Sequence, residues 1–393
     1  MGLFGSGVVF GYEATADHGA EATEDAGTER AERPAGSGEL EADRVVERPF
    51  TGSDAGRRIL GTMPSLDTVR VAAIQATPAI LDAEATTEKA IGLLGEAAEA
   101  GAALAALPEV FVPLYPSNAW AKTAPSFAGW DELWERLWEN SVDVPGPLTE
   151  RLVEACREHD IHCGIGVNER ESERPGTLYN AYLLIGPEGL VWKHRKLMPT
   201  MHERIFHGIG AGDDLRVAET PAGRVGGLIC WENRMPLARY AVYKQGPQIW
   251  LAPTADDSDG WLASMRHIAI ESGAFVVSVP QFIPAAAFPE DFPVPLPDGA
   301  ELFGSGGAAI VEPSWGEVIA GPLYGEEGMV VADCDLRAGL RAKRWFDAVG
   351  HYSREDVFSP PLPDEGVPRT QDGQPTPVPA EPEARPRPEP EPS

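Results

Sequence analysis

Hydrophobic and polar positions change period repeatedly along the middle of the chain, and each change marks an element. Residues 69–76 (VRVAAIQA) form an apolar, β-branched run that stops at a Thr-Pro step, the pattern of a buried strand. Ala, Leu and Glu then recur at helical spacing over 83–99, with Gly101 as a stop. A second apolar run, 102–107, ends abruptly at Pro108 and Glu109. Helical spacing returns over 149–159 and a strand pattern over 161–167. The runs 179–185 and 190–193 flank Gly-Pro-Glu-Gly, which predicts a hairpin. A strand over 224–230 precedes a helix that opens near Pro236, because proline fits the first helical position. A strand at 249–253, a helix at 260–271 and a strand at 275–279 continue the alternation. The runs 307–311 and 318–320 flank Pro-Ser-Trp-Gly as a second hairpin, and 329–333 closes the set. Strands alternating with helices predict mixed α/β sheets covered by helices. The hairpins argue against a purely parallel sheet, since tight turns join antiparallel neighbours.

The two ends lack such patterning. Residues 1–66 are rich in Glu, Ala, Gly and Asp, and predict a disordered acidic extension. Residues 359–393 form a Pro/Glu-rich tail that favours extended conformers and cannot build a core. Residues 67–358 are long enough for one large core. The formal charge of −29, from 61 acidic against 32 basic residues, repels phosphate backbones and argues against a nucleic-acid partner. No run approaches the ~18 apolar residues of a membrane helix. The opening MGLFGSGVVFGY lacks the basic start of a secretion signal, and its match to a myristoylation pattern reads as coincidence in a Gly-rich segment. Met63 is a candidate alternative start. Cys156, Cys163, Cys230 and Cys334 form no Cys-x-x-Cys pair, which predicts a reduced, cytoplasmic chain.

Four groups of residues are candidates for chemistry. In His202-Glu203-Arg204-Ile205-Phe206-His207 the second histidine falls at i+5, about 100° away from the i+4 face that a zinc motif needs, so no metal is expected. The glycine run 208–212 is neither a dinucleotide fingerprint nor a P-loop and predicts a flexible loop. Gly304-Ser305-Gly306 reads as a turn rather than a nucleophile elbow. The fourth group is Glu109, Lys196 and Cys230, each of which follows an apolar strand. Open sheets gather their sites at carboxyl ends of strands, so three such ends can meet in one pocket. A lysine ammonium or helix start lowers a thiol pKa from about 8.5, and a carboxylate raised by burial can take the thiol proton and later activate water. Read alone, Cys230 is also a plausible small core residue.

Glu109 in PEVFVPLYP, Lys196 in HRKLMPT and Cys230 in ICWEN together resemble the Glu-Lys-Cys triad of the nitrilase superfamily of carbon-nitrogen hydrolases. The similarity runs from about Val69 to Tyr352 and takes in HER at 202–204, MPLARY at 235–240, RHIAIESGAFVVS at 266–278 and IVEPSWGEVIAGP at 310–322. The resemblance implies a four-layer α-β-β-α sandwich that pairs into homodimers or larger oligomers, with no cofactor. Trp231-Glu232 after the cysteine is similar to the nitrilase branch, which acts on nitriles, rather than to the amidase branch. The resemblance implies that Glu203 is a second active-site glutamate that positions substrate and aids proton transfer. Tyr115 and Trp231 are candidate pocket residues or plain packing. His207, Pro-Thr-Ala at 253–255 and GIGAGDD at 208–214 depart from common nitrilase patterns and bear on pocket shape. An amidase or carbamoylase with the same triad, and a catalytically idle assembly or binding module, are the competing readings. The stretch 284–304 reads as a lid, an assembly contact or a surface excursion.

Overall fold

The first ordered strand, β1 (Thr68–Gln75), alternates its side chains between two different cores, and this alternation lays out the whole architecture. Val71 and Ala73 point into one apolar cluster, whereas Ala72 and Ile74 point into another. A computed structural model describes residues 65–116, 129–171, 173–354 and 357. These belong to one compact unit, Thr62–Ser393. The expected disordered tails lie outside the described residues, except that Ser65 and Leu66 are placed, with the Ser65 carbonyl accepting from Gln248 Nε2 at 2.7 Å.

Helix α1 (Ala83–Glu99) starts where Asp82 accepts the Ala85 amide, and it buries Ala90, Leu94 and Ala97 at helical spacing. Strand β2 (Leu104–Ala106), helices α2 (Trp130–Glu139) and α3 (Pro147–His159), and strands β3 (His162–Arg170), β4 (Leu178–Gly186) and β5 (Gly189–Arg195) follow. Next come β6 (Ala218–Thr220), β7 (Gly223–Gly227), α4 (Pro236–Tyr243), β8 (Ile249–Thr254), α5 (Asp259–Ser272) and β9 (Phe275–Pro280). The chain closes with β10 (Phe282–Pro284), β11 (Leu302–Val311), β12 (Val318–Tyr324), β13 (Gly328–Asp335) and α6 (Arg337–Lys343).

Two sheets result. The first runs β13-β1-β2-β3-β4-β5 and the second β10-β11-β9-β8-β7-β6, with β12 also paired to β11. Each has a parallel centre, β1-β2-β3 and β7-β8-β9, flanked by antiparallel strands. Both predicted hairpins form, as β4-β5 and β11-β12. Between the sheets, Val71, Leu104 and Leu184 share a core with Val225, Leu251, Val277 and Ile310. On the outer face of the first sheet Leu94 and Leu152 of α1 and α3 cluster with Ile74 and Ile165, and on that of the second Val242 and Met265 of α4 and α5 cluster with Trp250 and Val276. The layers are therefore helix, sheet, sheet, helix, as the resemblance implied.

Several details differ from the sequence reading, which did not include β6, β10 or α6. The strand expected over 224–230 stops at Gly227, because the chain turns out of the sheet before Cys230. Helix α2 was not foreseen; its three tryptophans hide an amphipathic pattern in which Trp130, Leu133 and Leu137 face inward. The proline-rich stretch is no bare excursion: Ile283 and Val294, with Phe288, Phe292 and Phe303, share a cluster with α2, Leu114 and Phe206. Trp130 stacks on Phe206 with ring centroids 5.3 Å apart.

Candidate active site

Glu109, Lys196 and Cys230 each stand just past the carboxyl end of a strand. Glu109 follows β2, Lys196 follows β5, and Cys230 follows β7 after two further residues. Strand β5 lies two antiparallel steps from β3, so it runs in the direction of β2 and delivers its lysine to the same edge. The local backbone is held closely. Gln281 Nε2 donates to the Glu109 carbonyl at 2.6 Å, and the Gly166 amide donates to the Pro108 carbonyl at 3.1 Å. The Lys196 amide donates to the Asn180 carbonyl, and its own carbonyl accepts from Gly210, both at 2.8 Å. A Cβ on Gly210 would lie 2.1 Å from the Arg195 carbonyl oxygen. The glycine run expected as a free loop is thus pinned to the end of β5, and only glycine permits that approach.

Five non-glycine residues among those described have positive φ, and three border this site: Val110, Met201 and Cys230. Such backbone is costly for L residues, most of all for a β-branched valine. Cys230 at φ 51° opens a short 3-10 turn, Cys230–Arg234, which lifts the thiol off the strand axis.

Two carboxylates share one ammonium. Lys196 Nζ donates to Glu109 Oε1 and to Glu203 Oε2, each at 2.7 Å, with all three side chains fully buried. Asn180 Nδ2 also reaches both, at 2.7 Å to Glu109 Oε1 and 2.8 Å to Glu203 Oε1. The two acids then part company. Glu203 additionally accepts the Tyr115 hydroxyl at 3.1 Å and the Thr200 amide at 2.8 Å, and His207 Nδ1 lies 3.2 Å from it. Burial acts to raise its pKa, but Lys196 and His207 outweigh burial and hold the Glu203 carboxyl far below the usual range. Glu109 has fewer donors, and its Oε2 is buried with no partner. Burial therefore dominates there and raises the carboxyl, with Lys196 opposing and Glu203 reinforcing. Environments that push paired acids apart assign them different roles: Glu203 stays a fixed anion, and Glu109 can take up a proton. For Lys196, burial works against the charge, but Glu109 and Glu203 more than compensate and keep it an ammonium.

The Cys230 thiol accepts from Thr254 Oγ1 at 3.1 Å and from the Ala255 amide. Its pKa is pushed up to about 12, first by burial and then by the charge of Glu109, against a lowering by Lys196. Lysine was expected to depress the thiol; it does pull downward, but a 3 % exposed sulfur between the sheets pays more in lost hydration. At rest the sulfur is therefore a thiol, which would need a base before it could attack.

Tyr115 joins the site, with its hydroxyl on Glu203 and its ring centroid 5.6 Å from Lys196 Nζ. Trp231 does not touch the carboxylates or the lysine. It is 41 % exposed, donates from Nε1 to Asp256 Oδ2 at 2.7 Å and carries the Arg234 guanidinium 4.9 Å above its ring. Asn180 went unnoticed in the sequence, although it is a polar residue inside a largely apolar strand, which calls for a buried partner; Thr254, at the end of β8, was noted only as part of Pro-Thr-Ala.

His194 was also missed. It is fully buried, with Nδ1 2.7 Å from Asp214 Oδ1 and Nε2 3.0 Å from Glu232 Oε2. Burial disfavours its charge, yet Glu232 and Asp214 raise its pKa from 6.5 to about 10. A raised folded pKa contributes stability that is fully present below pH 6.5 and is lost as pH rises through about 10. Urea midpoints should accordingly fall between pH 7 and 10, at up to about 1.4 kcal/mol per pH unit. His194→Gln should flatten that slope, and equal slopes for the two proteins would refute the assignment.

Comparison with known proteins identifies the family. The carbon-nitrogen hydrolase family matches residues 70–343. The chain belongs to the carbon-nitrogen hydrolases. It is 44% identical over 296 residues to an aliphatic nitrilase of Sinorhizobium fredii (strain HH103), covering 74% of this chain and 94% of that one. It is 42% identical over 302 residues to a bifunctional nitrilase/nitrile hydratase, NIT4A, of Lupinus angustifolius, covering 74% and 85%. Among solved structures, a carbon-nitrogen hydrolase from Helicobacter pylori G27 superposes with a TM-score of 0.57 at 18% identity, covering 74% of this chain and 97% of that one. At that identity the likeness speaks for the fold.

Proposed function

We propose that this carbon-nitrogen hydrolase is a nitrilase that converts an organic nitrile to a carboxylic acid and ammonia, with Cys230 as nucleophile and Glu109 as base. The observation that carries the reading is the buried, unpartnered Oε2 of Glu109 in a site whose thiol is held protonated. An acceptor with no donor is costly to bury, and a thiol proton is what it lacks. The relatives named as nitrilases support the substrate class.

The thiol proton passes to Glu109 as sulfur bonds to the nitrile carbon, and Glu109 hands that proton to the nitrile nitrogen, giving a thioimidate. Lys196, held between two carboxylates, stabilises negative charge that develops on the nitrogen. Water adds to the thioimidate carbon with Glu109 as base, ammonia leaves with the returned proton, and a second water cleaves the thioester to release acid and thiol. If the C–S bond breaks before ammonia departs, the product is the amide. The Lupinus relative, named for both outcomes, favours keeping this branch in view. Glu203 positions Lys196 and Tyr115 rather than exchanging protons, since five groups surround its carboxylate.

A panel of aliphatic and aromatic nitriles and their amides, scored for ammonia, acid and amide, tests the reading. Nitriles should be consumed, and a quenched turnover mixture should carry an acyl or imidate mass on the Cys230 peptide. Turnover of amides alone would shift the assignment to an amidase or carbamoylase, and no adduct with either would leave an idle assembly module. No helix among the described residues is long and apolar enough to cross a membrane. A cytoplasmic homodimer or larger oligomer completes the proposal, supported by the family resemblance.

A further inference from the structure

Glu232 sits two residues after the nucleophile and touches none of the reacting groups, yet it is among the most heavily engaged side chains in the protein. Its carboxylate is fully buried. Oε1 accepts the Leu197 amide at 2.5 Å, and Oε2 accepts the Ile229 amide at 2.7 Å. Leu197 is the residue after Lys196, and Ile229 is the residue before Cys230. One carboxylate therefore bridges the end of β5 in the first sheet to the end of β7 in the second. His194 Nε2 lies 3.1 and 3.0 Å from its two oxygens, and His194 itself is two residues before Lys196 on β5. Beyond the imidazole, Asp214 Oδ1 lies 2.7 Å from Nδ1, and Asp214 Oδ2 accepts the Arg195 amide at 2.8 Å. The amides of both residues flanking Lys196 are thus held by one chain of charges that also holds the entry to the Cys230 turn.

We propose that Glu232, braced by His194 and Asp214, is a positioning device that fixes how Lys196 and Glu109 stand against the Cys230 thiol. Burying a carboxylate and an imidazole side by side, with a second carboxylate half-buried beyond them, is an expensive way to stabilise a fold, and apolar packing of similar volume commonly does as well. What charges supply and apolar groups do not is direction, because each oxygen accepts along a defined line. Lys196 and Cys230 lie on different sheets, whose packing across an apolar interlayer fixes spacing but leaves sliding weakly determined. A two-amide clamp across that interlayer removes the freedom to slide. Misplacement on the order of 1 Å costs about a hundredfold in rate for reacting groups. The device rests on the nitrilase reading for its catalytic consequence, though the clamp itself is independent of substrate.

Glu232→Gln tests it, because the amide offers a single acceptor oxygen and must turn its NH2 towards one of the two backbone donors. The variant should lower kcat on a nitrile by about 30- to 100-fold with KM changed less than about threefold. The acid limb of kcat/KM, which reports Glu109, should move up by about half a pH unit or more as Lys196 withdraws. The groups acting on Glu109 are Lys196 just past β5, Asn180 from β4, and Glu203 from the turn after Lys196, and the charge of Glu109 acts in turn on the Cys230 thiol. A role confined to stability would lower the folded fraction and leave that limb in place. Iodoacetamide alkylation of Cys230 at pH 8, which needs no nitrile, should slow at least about tenfold relative to the parent. Asp214→Asn, at the far end of the chain of charges, should shift all three in the same direction by less, and it decides the matter if Glu232→Gln does not fold. Unchanged kcat and acid limb with equal or faster alkylation in a folded variant overturn the proposal. A parent enzyme inert to nitriles but alkylated faster than Glu232→Gln would instead sink the nitrilase reading and keep the clamp.

Discussion

Cys230→Ala is expected to fold with its thermal midpoint nearly intact and to lose nitrile turnover by about four orders of magnitude or more. Removing an attacking atom abolishes the covalent route, and what persists is binding and polarisation of the substrate. The structural change is small. Alanine at φ 51° is no more strained than cysteine, and only the contacts of one sulfur with Thr254 and the interlayer core are lost, at about 1 kcal/mol. Ammonia release measured beside a urea melt separates the two effects. Turnover within tenfold of the parent would end the nucleophile assignment, whatever the fold does.

Lys196→Met should damage both stability and chemistry. Its removal leaves Glu109 and Glu203 facing each other in a site with no exposed surface, where one buried partner of a broken ion pair commonly costs about 3–5 kcal/mol. Glu109, already raised by burial, would go up further and take a proton, so it would cease to act as a base at neutral pH. Activity should fall by at least about a thousandfold, since the charge-stabilising ammonium and the free base disappear together. Lys196→Met with Glu203→Gln should recover part of the lost stability and none of the activity, because it removes the carboxylate repulsion but restores no cation. Equal urea midpoints for the single and double variants would show that the two acids do not interact. Methionine keeps the length of the stem, so the comparison isolates charge from volume.

These effects are large because the site concentrates charge where water is excluded, and the fold explains why it can. Both sheets place parallel strands at their centres, so their carboxyl ends open towards one edge. The loops leaving those ends carry Glu109 and Cys230, the edge strand β5 brings Lys196 to the same side, Thr254 ends β8 and Gln281 follows β9. Positive φ at Val110, Met201 and Cys230 turns these loops back over the site rather than away from it. The cluster of α2 with the 283–303 segment packs around Leu114 and Phe206, which neighbour Tyr115 and His207. Chain that reads as surface in the sequence thereby becomes a wall beside the buried charge cluster.

The sequence by itself determined most of the strands and helices, the two hairpins, and the three candidate residues Glu109, Lys196 and Cys230, because each rests on local information: a period of 2 or 3.6, a turn dipeptide, or a motif of a few residues after an apolar run. Glu203 was legible only through the family resemblance, since nothing local distinguishes it from a surface ion pair. The tertiary structure alone decided the distribution of charge. Lys196 pulls the thiol downward as expected, but burial between two sheets outweighs it, and burial is a sum over residues up to hundreds of positions apart. The separate environments of the two glutamates arise likewise from Tyr115, 88 positions from Glu203, and from Thr200 and His207 on either side of it, none of which reaches Glu109. The clamp of Glu232 escaped notice for the same reason: its Ile229 contact is local, but Leu197, which makes it a bridge between sheets, lies 35 positions away.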